Sequence, residues 1–352
     1  MKLRLHIGIH KTGSSYIQYI CSNKREELLS NGIWFPVSSE DFKMKRGEIS
    51  AGNALDLCMH LRKGNEHDVE KYLKNILLES EAKGAKDVLL SSEGLGHDLS
   101  VYKKLKLLET TANKVGFESV SVIAYFRDLV DHCISLYKHR SKSGKNPDFE
   151  YWVKNIYETP KLLSDFFHIH DEVKFDWTLI KFQKKSDYLV DTFFKQWLGI
   201  SLIDIPNKPS VNESPTLSEI KLMQLTSSNY SLVTDFFLQK LMNLSREEKA
   251  KDIQLEELFR YKANVILREK YLEDLNSWNQ YLNDHGRFDF ERIDLPESLD
   301  LHFTYSSAQL NALVSSFESL SSWRGRLFIL RRKIIKLFPT KIIQLLKRGF
   351  LK

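Results

Sequence analysis

The sequence predicts an α/β fold in which a central, mostly parallel sheet is flanked by helices and followed by a C-terminal helical extension. Three observations carry this. The chain opens with a strand, a glycine-containing loop and a helix, the start of a βαβ unit. β-prone runs then alternate with segments of helical spacing as far as Gly199, which implies parallel strands. After Pro206-Asn207-Lys208-Pro209 the character changes, and Thr216 to about Asn283 reads as helix without a clear strand.

The first element, Lys2–Gly8, alternates and is β-prone. A loop, Ile9–Gly13, leads into a helix over Ser14–Leu29 with Ile17, Ile20, Leu28 and Leu29 apolar. A helical segment near Glu66–Lys83 precedes a second strand, Asp87–Ser92. The third strand, Ser119–Phe126, runs into an amphipathic helix from about Asp128 to Lys142. A weaker strand spans Val173–Phe182. Asp187–Leu198 reads as a helix burying Val190, Phe193, Phe194 and Trp197, stopped by Gly199. Thr216 or Ser218 is placed to cap the first helix of the extension. The expected organisation is a domain over residues 1–215, helices over 216–322 packed on it, and a tail over 323–352.

With 352 residues, 42% of them hydrophobic and 12% aromatic, the chain can bury a large core and is not of disordered composition. Cys21, Cys58 and Cys133 show no CxxC spacing, which argues against a disulfide framework or structural zinc and for a reduced, cytoplasmic compartment. The N-terminus turns polar too soon for a secretory signal, and no apolar run is long enough to span a bilayer. Trp323–Lys352 carries ten basic and no acidic residues, so residues 1–322 hold 42 basic and 46 acidic, a net of −4. The basic balance belongs to the tail, and composition gives no support for a nucleic-acid face on the body. The tail interleaves its cations with Leu327, Phe328, Ile329, Leu330, Ile334 and Ile335. That pattern suits an anionic membrane surface, which would place the protein peripherally on the inner face; packing on the body is the competing role.

The most informative stretch is His6-Ile7-Gly8-Ile9-His10-Lys11-Thr12-Gly13-Ser14-Ser15. Amide groups at a helix N-terminus form an anion site, Gly13 permits close approach, Lys11 adds charge, and Thr12, Ser14 and Ser15 add hydroxyls. The Gly8–Gly13 separation matches a Walker-type loop, but Ser14 stands where that loop needs lysine. Downstream, a strand ends at Arg127, and Ser135 lies eight residues on, close to two helical turns. An arginine fork and a serine hydroxyl so spaced can grip one phosphate.

These two stretches resemble the superfamily of sulfotransferases that use 3′-phosphoadenosine 5′-phosphosulfate (PAPS), in particular its bacterial branch, which often carries His-Lys-Thr-Gly-[ST]-[ST]. The resemblance covers roughly residues 1–215 and implies a P-loop-like sandwich. It implies that Lys11, Thr12, Gly13, Ser14 and Ser15 hold the 5′-phosphosulfate, with Lys11 also stabilising the departing phosphate. Arg127 and Ser135 then hold the 3′-phosphate. A looser match, Val211-Asn212-Glu213-Ser214 after a helix ending in Leu198-Gly199, implies that Asn212 and Ser214 reach the nucleotide. The product is 3′,5′-ADP, and no metal is expected.

Sulfuryl transfer to a hydroxyl calls for a base. Glu93 follows the strand Val88–Leu90 and stands where open α/β sheets bind ligands. His10, inside the phosphate loop, is the rival base, and His97 a third candidate; His168 and His170 read as surface residues. The expected acceptor is a sugar of a polysaccharide or glycolipid. Two other readings are a P-loop nucleotide kinase or NTPase, which the missing lysine at position 14 disfavours, and a degenerate nucleotide-binding member without activity.

Overall fold

The computed structural model describes residues 1–143, 145–206, 214–229, 231–244, 248–249, 252–282, 287–290, 293 and 305–321. In chain order the elements are β1 (Lys2–Gly8), α1 (Ser14–Asn23), α2 (Arg25–Ser30), β2 (Ile33–Trp34), α3 (Asp41–Lys45), α4 (Leu55–Lys63), α5 (Glu66–Ala82) and β3 (Asp87–Ser92). Then come α6 (Glu93–Asp98), α7 (Tyr102–Val115), β4 (Ser119–Phe126), α8 (Leu129–Arg140), α9 (Phe149–Asn155), α10 (Thr159–Ile169), β5 (Phe175–Lys181) and α11 (Ser186–Val190). The remaining helices are α12 (Leu217–Asn229), α13 (Ser231–Leu241), α14 (Ile253–Trp278) and α15 (Ser307–Ser321).

The five strands form one all-parallel sheet in the order β2-β3-β1-β4-β5, flanked by helices. Pairing of Ile7 with Ser92 and of Gly8 with Tyr125 brings the carboxyl ends of β3, β1 and β4 to one edge. The chain leaves β1 toward β2 at one side and leaves β4 toward β5 at the other, so its direction reverses between these two neighbours. A crevice at such a switch point is where open α/β sheets bind ligands.

Both faces of the sheet are buried, as parallel sheets require. On one face α1, α2 and the segment after β5 bury Ile17, Ile20, Leu28, Phe193 and Phe194 against Ile123, Tyr125 and Ile180. The alternate residues of β1, Leu3, Leu5 and Ile7, are at most 2% exposed.

The expected helix over Ser14–Leu29 is two helices that break at Lys24. Asn23 turns its amide onto the carbonyl of Tyr19 at 2.8 Å and competes there with the helix ladder. The expected helix over Asp187–Leu198 begins as α11 but continues over Asp191–Trp197 with π spacing. The bond from Leu198 N–H to Phe193 O, 3.1 Å, spans five residues. The widened turn buries Phe193, Phe194 and Trp197 together. The two-residue β2 was not expected; it is too short to carry an alternation.

The described chain divides into two compact units. The first holds the sheet and comprises residues 1–136, 150–212 and 260–294. The contacts divide after residue 212, close to the expected boundary at 215, but residues 137–149 go with the second unit and residues 260–294 return to the sheet unit. There Phe288 packs edge-on to Phe126 at 6.4 Å, and Trp278 and Tyr281 stack on Phe167 at 6.2 and 5.7 Å. The second unit includes α12, α13 and α15. Thr216 caps α12 through a reciprocal pair: Glu219 N–H donates to its Oγ1 at 3.2 Å, and Thr216 N–H donates to Glu219 Oε2 at 2.8 Å. The tail over 323–352 lies outside the described residues. Among those described, no helix is long and apolar enough to cross a membrane.

Candidate functional site

The loop after β1 turns through two left-handed residues, Lys11 at φ 69° and Gly13 at φ 85°. Only glycine suits position 13, because an added Cβ would stand 2.6 Å from Leu189 Cδ1 and 3.2 Å from Phe182. Lys11, which has a Cβ, is held in its unfavourable conformation by its neighbours. Thr12 donates its hydroxyl to Ile9 O at 2.6 Å and closes the loop on itself. That hydroxyl, expected to face a ligand, is instead an internal brace, and Thr12 is fully buried.

Two consecutive carbonyls of the loop are drawn toward the β4–α8 junction. His132 Nε2–H donates to His10 O at 2.7 Å, and Arg127 Nη1 donates to Lys11 O at 3.3 Å. A trans peptide points its N–H opposite to its carbonyl, so the N–H groups of Lys11 and Thr12 turn the other way. At the start of α1 the N–H groups of Ser14 and Ser15 have no intrahelical acceptor. Ser14 is 1% exposed, and its Oγ has no hydrogen-bond partner. This Oγ lies 2.2 Å from where a Cβ on Gly8 would stand, so a larger residue at 8 would occupy its place.

Arg127 follows β4 and is half-buried. It makes no ion pair among the described residues; besides Lys11 O, its guanidinium lies over the Phe182 ring at 5.7 Å. Burial pulls its proton affinity down, partly offset by Asp131 and Asp128. A half-buried guanidinium with no direct ion pair gains when an anion joins it. Asp128 caps α8, accepting from Val130 N–H at 3.0 Å and Asp131 N–H at 3.2 Å. Ser135 lies half-buried one turn past Asp131 on α8, and its hydroxyl bonds to none of the described residues.

Glu93 and His10, read from the sequence as competing bases, form one pair. His10 Nδ1 lies 2.8 Å from Glu93 Oε2. Glu93 is the first residue of α6, directly after β3, and Ser92 caps that helix by accepting from Gly94 N–H at 3.0 Å. The His97 ring centre is 6.4 Å from that of His10. Burial is the main cause that lowers the His97 proton affinity, and the neighbouring His10 adds to it.

Three further residues at or near the site carry no local signal in the sequence. His132 is sealed between the loop and Tyr157, whose hydroxyl is 2.8 Å from its Nδ1; the only hint was its place between Arg127 and Ser135. Arg260 comes from α14 and pairs with Asp131, between Arg127 and Ser135 on α8. Arg62 comes from the last turn of α4. Of the looser expectations, Asn212 lies outside the described residues, and Ser214 sits in the second unit just before α12. His168 is exposed as expected, but His170 is only 3% exposed, enclosed by Phe166 and Tyr281. Among the described residues no group of three or more His, Cys, Asp or Glu is placed to hold a metal ion.

Two buried histidines make stability depend on pH. His6 accepts or donates at Nδ1 to Ser91 Oγ at 2.8 Å, and burial pushes both His6 and His132 down to about 3. Below about pH 6.5 an unfolded histidine binds a proton that the native one refuses, so stability falls as pH falls from there toward 3. Each group should contribute a slope approaching about 1.4 kcal/mol per pH unit. Denaturant unfolding at pH 7 and pH 5 measures it, and His6→Gln should remove one share. An unchanged unfolding free energy between those values would contradict the assignment.

Comparison of the chain with protein-family models, with curated proteins and with solved structures finds no match.

Proposed function

We propose that this chain is a sulfotransferase that moves a sulfuryl group from PAPS to a hydroxyl acceptor, a sugar of a polysaccharide or glycolipid. One observation carries the reading. The β1–α1 loop and the half-buried Arg127, which makes no ion pair among the described residues, meet at the switch point of the sheet, joined through Lys11 O. A site with an amide-rich loop on one side and a half-buried guanidinium on the other fits a nucleotide with phosphates at both ends. The strand order, with the loop after the central strand, supports the P-loop-like class within the same proposal.

The residues present fit PAPS. The unpartnered Ser14 Oγ, the amides at the start of α1 and Lys11 would hold the 5′-phosphosulfate, and Arg127 and Ser135 the 3′-phosphate. When bound, PAPS supplies an activated sulfuryl group. Lys11 neutralises negative charge that grows on the phosphate side. Glu93, which can only accept while ionised, keeps the proton of His10 on Nδ1. His10 Nε2 is then the basic nitrogen that takes the acceptor's proton, and Glu93 steadies the imidazolium that results. His132 fixes the His10 backbone and so the position of that ring.

Calorimetry with 3′,5′-ADP, 5′-AMP and ATP tests the reading. Charge-assisted bonds are worth about 1.5–3 kcal/mol each, so 3′,5′-ADP should bind at least about tenfold more tightly than 5′-AMP. Arg127→Met should close that gap. Equal affinity for the two would remove the assignment of Arg127 and Ser135. ATP as the tightest ligand would favour a kinase or NTPase instead.

A further inference from the structure

Arg62 lies against Gly94, the residue after Glu93, and within electrostatic range of His97, and it takes no part in the chemistry above. Its Nε donates to both oxygens of Asp98, at 3.1 and 3.0 Å. Asp98 is 1% exposed and also receives Lys104 Nζ at 2.8 Å. The buried carboxylate thus clamps the guanidinium by its inner edge. The outer Nη1 and Nη2 groups donate to none of the described residues, and the Arg62 side chain is 50% exposed. Nη2 lies 2.8 Å from where a Cβ on Gly94 would stand. Gly94 adjoins Glu93, so the open fork lies one residue along the chain from the carboxylate that holds His10.

One aspartate, Asp98, is shared by two cations, Arg62 and Lys104, while the Glu93 carboxylate next to Gly94 is taken up by His10. A guanidinium fork matches an oxyanion bidentately, and such bonds are about twice as strong as neutral ones. A plain sugar hydroxyl would gain much less here.

We infer that the acceptor carries an oxyanion, a carboxylate or a sulfate ester on the sugar, and that Arg62 reads it. The assignment of that anion to an acceptor rests on the sulfotransferase reading. The test uses three probes: p-nitrophenyl β-D-glucoside, the corresponding β-D-glucuronide and the glucoside 6-sulfate. With PAPS as donor, at least one anionic probe should exceed the neutral one by about tenfold or more in kcat/KM, and which one does so separates carboxylate from sulfate. Arg62→Met should bring the ratio close to one. Gly94→Ala would put a Cβ 2.8 Å from Nη2 and push the fork from its position, and it should lower the ratio as well. A wild-type ratio of one or less, or a ratio that survives both substitutions, overturns the inference.

Saturation-transfer NMR with the same probes, with and without 3′,5′-ADP, decides the point without turnover. Anionic probes that bind wild type but neither variant uphold the site even if no transfer occurs, in which case the sulfotransferase reading alone falls. Equal binding of neutral and anionic probes sinks the Arg62 site.

Discussion

Replacing His10 by alanine should cut turnover by on the order of 10²–10⁴-fold, about 3–5 kcal/mol of barrier, while 3′,5′-ADP still binds. The reason is the direction of one hydrogen bond. Glu93 Oε2 sits 2.8 Å from His10 Nδ1, and an ionised carboxylate cannot donate, so the imidazole presents its lone pair at Nε2. Glu93→Gln keeps an acceptor oxygen at the same position but removes the charge that stabilises the imidazolium. It should lose less than His10→Ala does. If the two side chains act as a unit, the double variant should be no slower than His10→Ala alone. Single-turnover transfer rates for the three variants measure this. Full activity in His10→Ala with none in Glu93→Gln would move the base to Glu93.

Gly13→Ala should destabilise the fold by about 2–5 kcal/mol, read by denaturant unfolding. Two costs add. An alanine at φ 85° meets the left-handed penalty, and its Cβ would stand 2.6 Å from Leu189 Cδ1. The Leu189 and Phe182 side chains on that side belong to a well-filled face, whose core includes Leu189, Phe193 and Phe194. The loop would relieve the overlap by moving away, taking with it the amides of Ser14 and Ser15. Nucleotide affinity should therefore fall together with stability. Gly199→Ala is the control: its φ is also positive, at 70°, but no atom lies within 4 Å of an added Cβ, so only the backbone penalty should appear. Similar losses at both positions would show that the crowding at Gly13 does not matter.

Much of the fold was legible because its signals are local. β1, β3 and β4 fall on the expected Lys2–Gly8, Asp87–Ser92 and Ser119–Phe126, since each is a short β-prone run bounded by turn residues. Gly13 and Ser14 were readable as a loop and helix start because the αL turn and the first turn of α1 are neighbours in sequence. The return of residues 260–294 to the sheet unit was not legible. Most of this stretch reads from the sequence simply as helix, and helical character says nothing of which partner receives it.

The sequence by itself determined the parallel α/β class, the glycine-containing turn from β1 into α1 and the Arg127–Ser135 spacing, because each depends on residues a few positions apart. Tertiary structure alone decided that Glu93 and His10 are one pair rather than rivals, since 83 positions separate them and only the β1–β3 pairing brings them together. It also decided that Thr12 braces the loop while Ser14 is left unpartnered. The same holds for the seat of His132 beneath the loop and for the clamp of Asp98 on Arg62. A hydrogen bond depends on distance and direction in space, and residue types along a chain specify neither until the strands have set their register.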